Sequence, residues 1–396
     1  MQASAGPAML AANSSGECIM AGRNSTARFV WRFSRTGQDI DHEREILVET
    51  GAGPRSATVF APDGWPTGRP GWVLLHGITV PGRHHDALRR MARALAAAGH
   101  YAIAPEVDAW RHLRVDPGEA GPAVEAGIAG LAASTPACPE KVGVIGFSVA
   151  GRWAVSIAAA EQERIRAVAA MGGYGDIERT LAAMISGEHD WRGERYLYDP
   201  DPYGRWIMGA NLLPLVAGDG FGSGSERGAA AAALRQLAWT AGQNGAMGRS
   251  PVYDPLNIAL RESIPPACHR AWDLLAPLSF QPARSGDDAR ELAAAMAAAA
   301  VRRYPLLAST AGLGALSLPV VLLHGRADRL IPFTETLRLA ANLPPASLRR
   351  VTITRLFGHT RSREARPPRA PIGRARETRN FVATINALLQ SLDGQE

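Results

Sequence analysis

Short apolar runs alternate with amphipathic stretches over most of the chain. The apolar runs predict strands over 72–75, 101–104, 142–145, 166–171, 320–323 and 350–354. The amphipathic stretches predict helices over 86–98, 120–133, 152–160, 334–341 and 379–392. Fully apolar strands that alternate with helices are typical of a parallel sheet covered on both faces. The predicted fold class is therefore α/β, with a doubly wound, mostly parallel sheet.

The pattern before residue 70 is different. Residues 1–26 are small and polar, which predicts a disordered tail. Phe29, Trp31 and Phe33 then alternate with polar residues, and the segments 46–48 and 58–60 are rich in β-forming residues. Antiparallel strands are therefore expected at the start of a first core segment, residues 27–175.

The alternation of strands and helices stops between residues 176 and 312. This stretch contains predicted helices over 227–239 and 287–303, proline-rich turns and no convincing strand. Because the alternation resumes afterwards, residues 176–312 are interpreted as a helical insertion, and residues 313–396 as the second core segment. Some of the insertion's aromatic residues are expected to line a pocket, and the others to form its own core. They are Trp191, Trp206, Trp239, Trp272, Tyr196, Tyr198, Tyr203, Tyr253 and Tyr304.

A candidate nucleophile lies between a predicted strand and a predicted helix. Residues 146–150 read Gly-Phe-Ser-Val-Ala, a G-x-S-x-[G/A] pattern with Ser148 at its centre. The pattern alone is weak in a chain so rich in glycine and alanine, but its position between strand and helix is where a nucleophile elbow belongs. A serine hydroxyl is a poor nucleophile, so it needs a base, and the base needs an orienting acid.

Two later strands end in residues that supply this acid and base. Asp328 follows the strand over 320–323 in His-Gly-Arg-Ala-Asp, and His359 follows the strand over 350–354 in Gly-His-Thr. The order serine, acid, histidine predicts the triad Ser148–Asp328–His359. Asp176, after the strand over 166–171, is the alternative acid. Glu106 and Asp108 are expected to form structural ion pairs.

These motifs resemble those of the α/β-hydrolases, over about residues 65–175 and 313–396. The chain looks similar to bacterial serine esterases and to the dienelactone-hydrolase-like group, although true dienelactone hydrolases carry cysteine where this chain has Ser148. His76-Gly77 resembles the oxyanion loop of the family. The resemblance implies oxyanion donors at the backbone N–H groups of Ile78 (or Gly77) and Val149. It also implies that residues 176–312 form a cap.

The predicted function is hydrolysis of a small or medium carboxylic ester through an acyl-enzyme, without cofactor or metal. Two alternatives remain open. One is a peptidase or amidase with the same triad, and the other is a non-catalytic binding protein on the same fold. The expected partner is a small-molecule ester, and the oligomeric state stays open.

Charge is concentrated in one segment. The chain carries a formal net charge of +6, and residues 361–379 hold seven arginines and two acidic residues. The rest is close to neutral, which argues against a nucleic-acid-binding protein. Pro367, Pro368 and Pro371 predict that this segment is a basic loop beside the mouth of the active site.

The remaining sequence features bear on localisation. Cys18, Cys138 and Cys268 are far apart and odd in number, so neither a disulfide framework nor a metal pair is indicated, and a reducing compartment is expected. The start of the sequence is a poor secretory signal, and no apolar run is long enough to span a membrane. A cytoplasmic protein is therefore expected.

Overall fold

The computed structural model describes residues 14–35, 43–51, 53–135, 142–245, 247–356, 358 and 371–393. Ten strands occur in these residues. They are β1 (Glu43–Val48), β2 (Arg55–Phe60), β3 (Gly71–Leu75), β4 (Tyr101–Pro105), β5 (Val142–Phe147), β6 (Ile165–Met171), β7 (Glu188–Trp191), β8 (Glu194–Leu197), β9 (Val320–Gly325) and β10 (Leu348–Thr354).

Eight of the strands form one sheet in the order β1-β2-β4-β3-β5-β6-β9-β10. β1 pairs with β2, and β2 with β4, in antiparallel fashion, whereas every other neighbouring pair is parallel. The predicted mostly parallel sheet is confirmed. β3 leads to β4 on one side and β5 leads to β6 on the other, so the strand order reverses between β3 and β5. Such a reversal opens a crevice at the carboxyl ends of the strands, where ligands bind in open α/β sheets.

Thirteen helices occur in the described residues. They are α1 (Ser14–Ser34), α2 (Asp86–Ala97), α3 (Asp108–Arg111), α4 (Ala120–Ser134), α5 (Val149–Ala160), α6 (Ile177–Ser186), α7 (Pro202–Leu212), α8 (Gly224–Asn244), α9 (Asp254–Ser263), α10 (His269–Leu275), α11 (Asp287–Arg303), α12 (Thr334–Ala341) and α13 (Pro371–Asp393).

Helices cover the sheet on both faces, as the apolar strands predict. The whole of β3 is buried, and its side chains alternate between two hydrophobic cores. Trp72 and Leu74 pack with residues of α2 and α13, whereas Val73 and Leu75 pack with residues of α4 and α5. This alternation is the direct result of the two-residue period of a strand.

The segment between β6 and β9 contains six helices, α6 to α11, and one β-hairpin formed by β7 and β8. The expectation of no strand in this segment is wrong. The strand residues of the hairpin are mostly polar, so they carry no apolar signal. The pairing is set instead by the turn, where Arg192 and Gly193 adopt φ values of 51° and 85°. Positive φ at both central residues is characteristic of the tight turns that join hairpin strands.

The start of the chain also differs from the prediction. α1 begins at Ser14, inside the expected disordered tail, and it includes the residues expected to form a strand. Phe29 and Phe33 stack with ring centroids 5.7 Å apart, and Trp31 is 55% exposed. Residues four apart share one face of a helix, whereas residues two apart do not. In a helix, Phe29 and Phe33 share one face and Trp31 lies on another. The spacing of the three aromatic residues is therefore compatible with a helix as well as with a strand. Residues 1–13 lie outside the described part.

The basic segment is only in part what the sequence suggests. α13 begins at Pro371, so Arg374, Arg376 and Arg379 are exposed helical residues and not part of a loop. Proline is compatible with the first turn of a helix, because the backbone N–H groups there have no intrahelical acceptor. Residues 361–370 lie outside the described residues. No helix in the described ranges combines the length and apolarity that a bilayer crossing requires.

The placement of α1 predicts a contrast between two aromatic residues. Phe29 is fully buried, so Phe29→Ala should lower the free energy of unfolding by about 3–5 kcal/mol. Trp31→Ala is the matched control and should change it by about 0.5 kcal/mol or less. Urea denaturation followed by circular dichroism measures both. Equal losses would indicate that the two rings share a buried face, as in a strand.

Candidate active site

Ser148 lies in a sharp turn between β5 and α5, at the centre of the sheet. Its backbone adopts φ 56° and ψ −133°, a conformation that is unfavourable for a residue with a side chain. The turn is tight enough that a Cβ atom on Gly146 would lie 2.2 Å from the backbone oxygen of Ala150. Glycine is therefore required two residues before Ser148, and the predicted nucleophile elbow has the local geometry that its motif implies.

The His76-Gly77 turn lies directly beside this serine. β3 and β5 are neighbouring parallel strands, and their register pairs Leu75 with Gly146. Gly77 and Ser148, which each lie two residues further along the chain, are therefore also close to each other. A Cβ atom on Gly77 would lie 3.1 Å from Cβ of Ser148. The absence of a side chain at Gly77 keeps the space beside the serine open.

The predicted oxyanion donors lie on either side of the serine. Val149 is the first residue of α5, where a backbone N–H has no intrahelical acceptor. Ile78 follows Gly77 in the neighbouring turn. Within the part of the chain that the structure describes, neither amide donates a backbone hydrogen bond. Both residues line the same cavity as Ser148.

His76 fixes the peptide that carries one of these donors. The imidazole is fully buried, and its Nδ1 lies 2.7 Å from the carbonyl oxygen of Gly77. A carbonyl oxygen only accepts, so Nδ1 carries the hydrogen. Because C=O and N–H point in opposite directions across a planar trans peptide, this bond directs the N–H of Ile78 away from His76. Nε2 lies 3.1 Å from Glu106 Oε1 and 3.1 Å from the backbone N of Val107.

Glu106 forms the structural ion pairs that the sequence suggests. Its carboxylate is buried, with His76 at 3.1 Å, Arg83 at 3.8 Å and Arg111 at 4.0 Å. Burial alone would raise the pKa of Glu106, but the hydrogen bond and charge of His76, together with the two arginines, lower it overall. Glu106 is therefore a charged support beneath the His76-Gly77 turn.

Asp328 lies in the turn after β9 and is 4% exposed. Its Oδ1 accepts hydrogen bonds from the backbone N–H groups of Leu330 and Ile331, at 2.8 and 3.0 Å. Its Oδ2 lies 3.2 Å from Nε2 of His324, a fully buried imidazole that also donates to the carbonyl oxygen of Ile331 at 2.9 Å. These bonds hold the carboxylate in one orientation at the edge of the cavity.

The other candidates from the sequence have different positions. Asp176, the alternative acid, caps α6 by accepting from the backbone N–H groups of Glu178 and Arg179, and it does not line the cavity with Ser148. His85 caps α2 and also lines the cavity. His359 lies outside the described residues. Gly358, immediately before it, lines the cavity.

One cavity of about 160 Å³ connects these groups. Ser148, Ile78, Val149 and Asp328 all line it. The segment between β6 and β9 provides one wall, through Met184, Tyr203, Gly204, Ile207 and Met208. Helices α1, α2 and α13 provide another, through Phe33, Ala87, Leu88, Arg90, Met91 and Phe381. The sequence pattern did not single out this second wall, since its residues come from three distant segments and form no motif.

Several aromatic residues of the segment between β6 and β9 are buried in the larger hydrophobic core that they share with the sheet. Trp206 and Trp272 are each 1% exposed, and Tyr253 is 3% exposed. Tyr203 alone among the nine expected candidates lines the cavity described here. Methionine and isoleucine supply most of the apolar contacts from this wall. Because methionine is flexible, it adapts to ligands of different shape.

Comparison with known proteins adds likenesses at the level of architecture. No protein-family model and no curated protein sequence matches the chain. An acylaminoacyl peptidase from Pyrococcus horikoshii is similar in structure, with 12% identity and a TM-score of 0.44 over 89% of this chain, which spans only 41% of the peptidase. An esterase domain from a Rhodothermus marinus protein shows 13% identity and a TM-score of 0.43, over 88% of this chain and 98% of that domain.

A 2-hydroxy-6-oxo-6-phenylhexa-2,4-dienoate hydrolase from Rhodococcus shows 17% identity and a TM-score of 0.41, over 82% of this chain and 94% of the hydrolase. Such values assign no substrate to this chain. The strand order of the sheet and the strained serine between β5 and α5 are themselves diagnostic. The fold is that of the α/β-hydrolases.

The lowered pKa of Glu106 predicts a pH-dependent contribution to stability. A carboxyl group whose pKa is lower in the folded state stabilises the fold above its ordinary pKa of 4.5 and loses this effect as pH falls through the folded-state pKa. Glu106→Gln should therefore unfold more easily than wild type at neutral pH, and the difference should shrink as pH falls below 4.5. Urea denaturation at a series of pH values measures it. A difference independent of pH would show that the ion pairs of Glu106 do not contribute.

Proposed function

We propose that the protein is a serine hydrolase that cleaves a small or medium carboxylic ester, with Ser148 as nucleophile, His359 as base and Asp328 as the orienting acid. The observation that carries this proposal is the shared cavity. Ser148, Ile78, Val149 and Asp328 line it together, although they come from the ends of three different strands. Gly358 lines the same cavity, and His359 is the next residue in the sequence.

In the proposed first step, Oγ of Ser148 attacks the ester carbonyl carbon while His359 takes the hydroxyl proton. The carbonyl oxygen becomes an oxyanion, which the N–H groups of Ile78 and Val149 stabilise. Collapse of this intermediate breaks the bond to the alcohol oxygen, and His359 returns the proton to the departing alcohol. The product of this half-reaction is an acyl-serine.

In the second step, His359 takes a proton from water, and the hydroxide oxygen attacks the acyl carbon. The second oxyanion collapses to release the carboxylic acid, and His359 returns the proton to Ser148. Asp328 holds the imidazole in its orientation throughout and balances its positive charge. We further propose that residues 176–312 act as a cap, because this segment supplies one wall of the cavity and excludes water from it.

Substitution of the nucleophile tests the proposal. Ser148→Ala should reduce kcat for p-nitrophenyl butyrate to the background rate, because it removes the hydroxyl on which the acyl intermediate forms. A fluorophosphonate should label the wild-type protein at Ser148 and leave the variant unlabelled. Unchanged ester hydrolysis by the variant would refute the assignment. Labelling of Ser148 with cleavage of amides in place of esters would identify the protein as an amidase or peptidase.

His76 should act as a positioning residue for the oxyanion site. His76→Ala removes the donor that holds the Gly77 carbonyl, and kcat should fall about 10- to 100-fold with little change in KM, since each oxyanion donor contributes on the order of 10²–10³ in rate. His76→Asn is the matched variant, because its amide nitrogen can replace Nδ1 as the donor. Partial recovery of kcat in His76→Asn supports the role. Equal kcat losses in both variants at unchanged melting temperature would contradict it.

A further inference from the structure

Arg90 lies in the wall of the cavity that α1, α2 and α13 provide. Ala87, Arg90 and Met91 are spaced three and four residues apart on α2, so they share one face of this helix, and all three line the cavity with Ser148. Side chains on a helix lean toward its N-terminus. His85, the N-cap residue of α2, also lines the cavity.

This guanidinium has no polar partner in the described residues. Its Nε is buried without a hydrogen-bond acceptor, and no ion pair involves its terminal nitrogens. Other arginines with a buried Nε, such as Arg152, Arg205 and Arg227, donate to backbone carbonyl oxygens through those nitrogens. Asp86, one turn earlier, acts on Arg90 electrostatically but forms no ion pair with it.

The surroundings of Arg90 are apolar. Its guanidinium lies over the ring of Phe33, 4.8 Å from the centroid, and Leu88, Met91 and Phe381 complete the wall. Burial lowers the pKa of Arg90, and the charge of Asp86 opposes this shift. A partly desolvated cation that has no ion-pair partner among the described residues is unfavourable, and a cation–π contact offsets only part of the cost. An anion at this position would restore the lost interaction in a medium where charges interact strongly.

We propose that Arg90 forms an anion subsite of the active-site cavity, so that the preferred substrate is an ester that also carries a carboxylate. A guanidinium suits this role because its planar donors match the two oxygens of a carboxylate. The apolar wall would hold the methylene or aromatic group between the carboxylate and the reacting ester. The proposal rests on the assignment of Ser148 as the nucleophile, and it adds a substrate class to that assignment.

The test uses two matched pairs of esters. The first pair is p-nitrophenyl hexanoate and mono-p-nitrophenyl adipate, which place the carboxylate on the acyl side. The second is phenyl acetate and 4-acetoxybenzoate, which place it on the alcohol side. In the pair whose carboxylate can reach Arg90, wild type should have a higher kcat/KM for the anionic ester than for the neutral one. Arg90→Gln should lower the ratio of kcat/KM values, anionic over neutral, by about 10- to 100-fold, the range for loss of a hydrogen bond to a charged group.

Three variants separate the charge effect from other effects. Arg90→Lys should retain part of the preference, because it keeps the charge without the planar donors. Arg89→Gln removes the same charge from the neighbouring position, which pairs with Glu43 and does not line the cavity, so its ratio should equal that of wild type. An unchanged ratio in Arg90→Gln for both pairs would refute the anion subsite and leave the role of Ser148 intact.

Direct binding keeps the proposal testable if the protein hydrolyses none of these esters. Calorimetry with adipate and Ser148→Ala requires no turnover. Binding that the added Arg90→Gln substitution weakens at least tenfold would support the subsite, even if the proposed reaction failed. Absence of adipate binding, or equal affinity with and without Arg90, would overturn it.

Discussion

Parallel pairing between β3 and β5 sets the distance between the two turns on which the site depends. The register of Leu75 with Gly146 leaves Gly77 and Ser148 side by side, and a Cβ atom at position 77 would lie only 3.1 Å from Cβ of Ser148. The pairing also places the reversal of strand order at this point, so a crevice opens where the serine projects. The closeness of the amides of Ile78 and Val149 to Ser148 depends on this one pair of neighbouring strands.

Buried polar pairs hold the loops around this crevice. The sequence Val-Leu-Leu-His-Gly occurs at residues 73–77 and 321–325, and in both copies the histidine is fully buried. His76 bonds to the carbonyl of Gly77 and lies against Glu106, whereas His324 bonds to the carbonyl of Ile331 and lies against Asp328. Each imidazole therefore contacts a backbone carbonyl and a carboxylate at the carboxyl edge of the sheet. Of the two carboxylates, Asp328 lines the cavity and Glu106 does not.

The sequence predicts the fold well for elements that are buried on all sides. It predicts the fold poorly for elements that bury only one face. The apolar strands of the core and the glycines around Ser148 leave few alternatives, so the sheet, its helices and the elbow were predictable. The helix α1 was not predictable, because the spacing of Phe29, Trp31 and Phe33 fits the period of a strand and also that of a helix. Only packing against α2 and α13 decides between the two. The hairpin of β7 and β8 was missed because its strand residues are polar. Arg90 was missed because no local pattern distinguishes a lining arginine from a surface one.

The wall formed by α1, α2 and α13 joins residues that are far apart in sequence. The rings of Phe33 and Phe381 are in contact, with centroids 5.6 Å apart, and both line the cavity. During synthesis on the ribosome, a chain that already contains Ser148 and Asp328 still lacks this wall until α13 has emerged and docked. The cavity is therefore complete only after α13 has docked against α1 and α2.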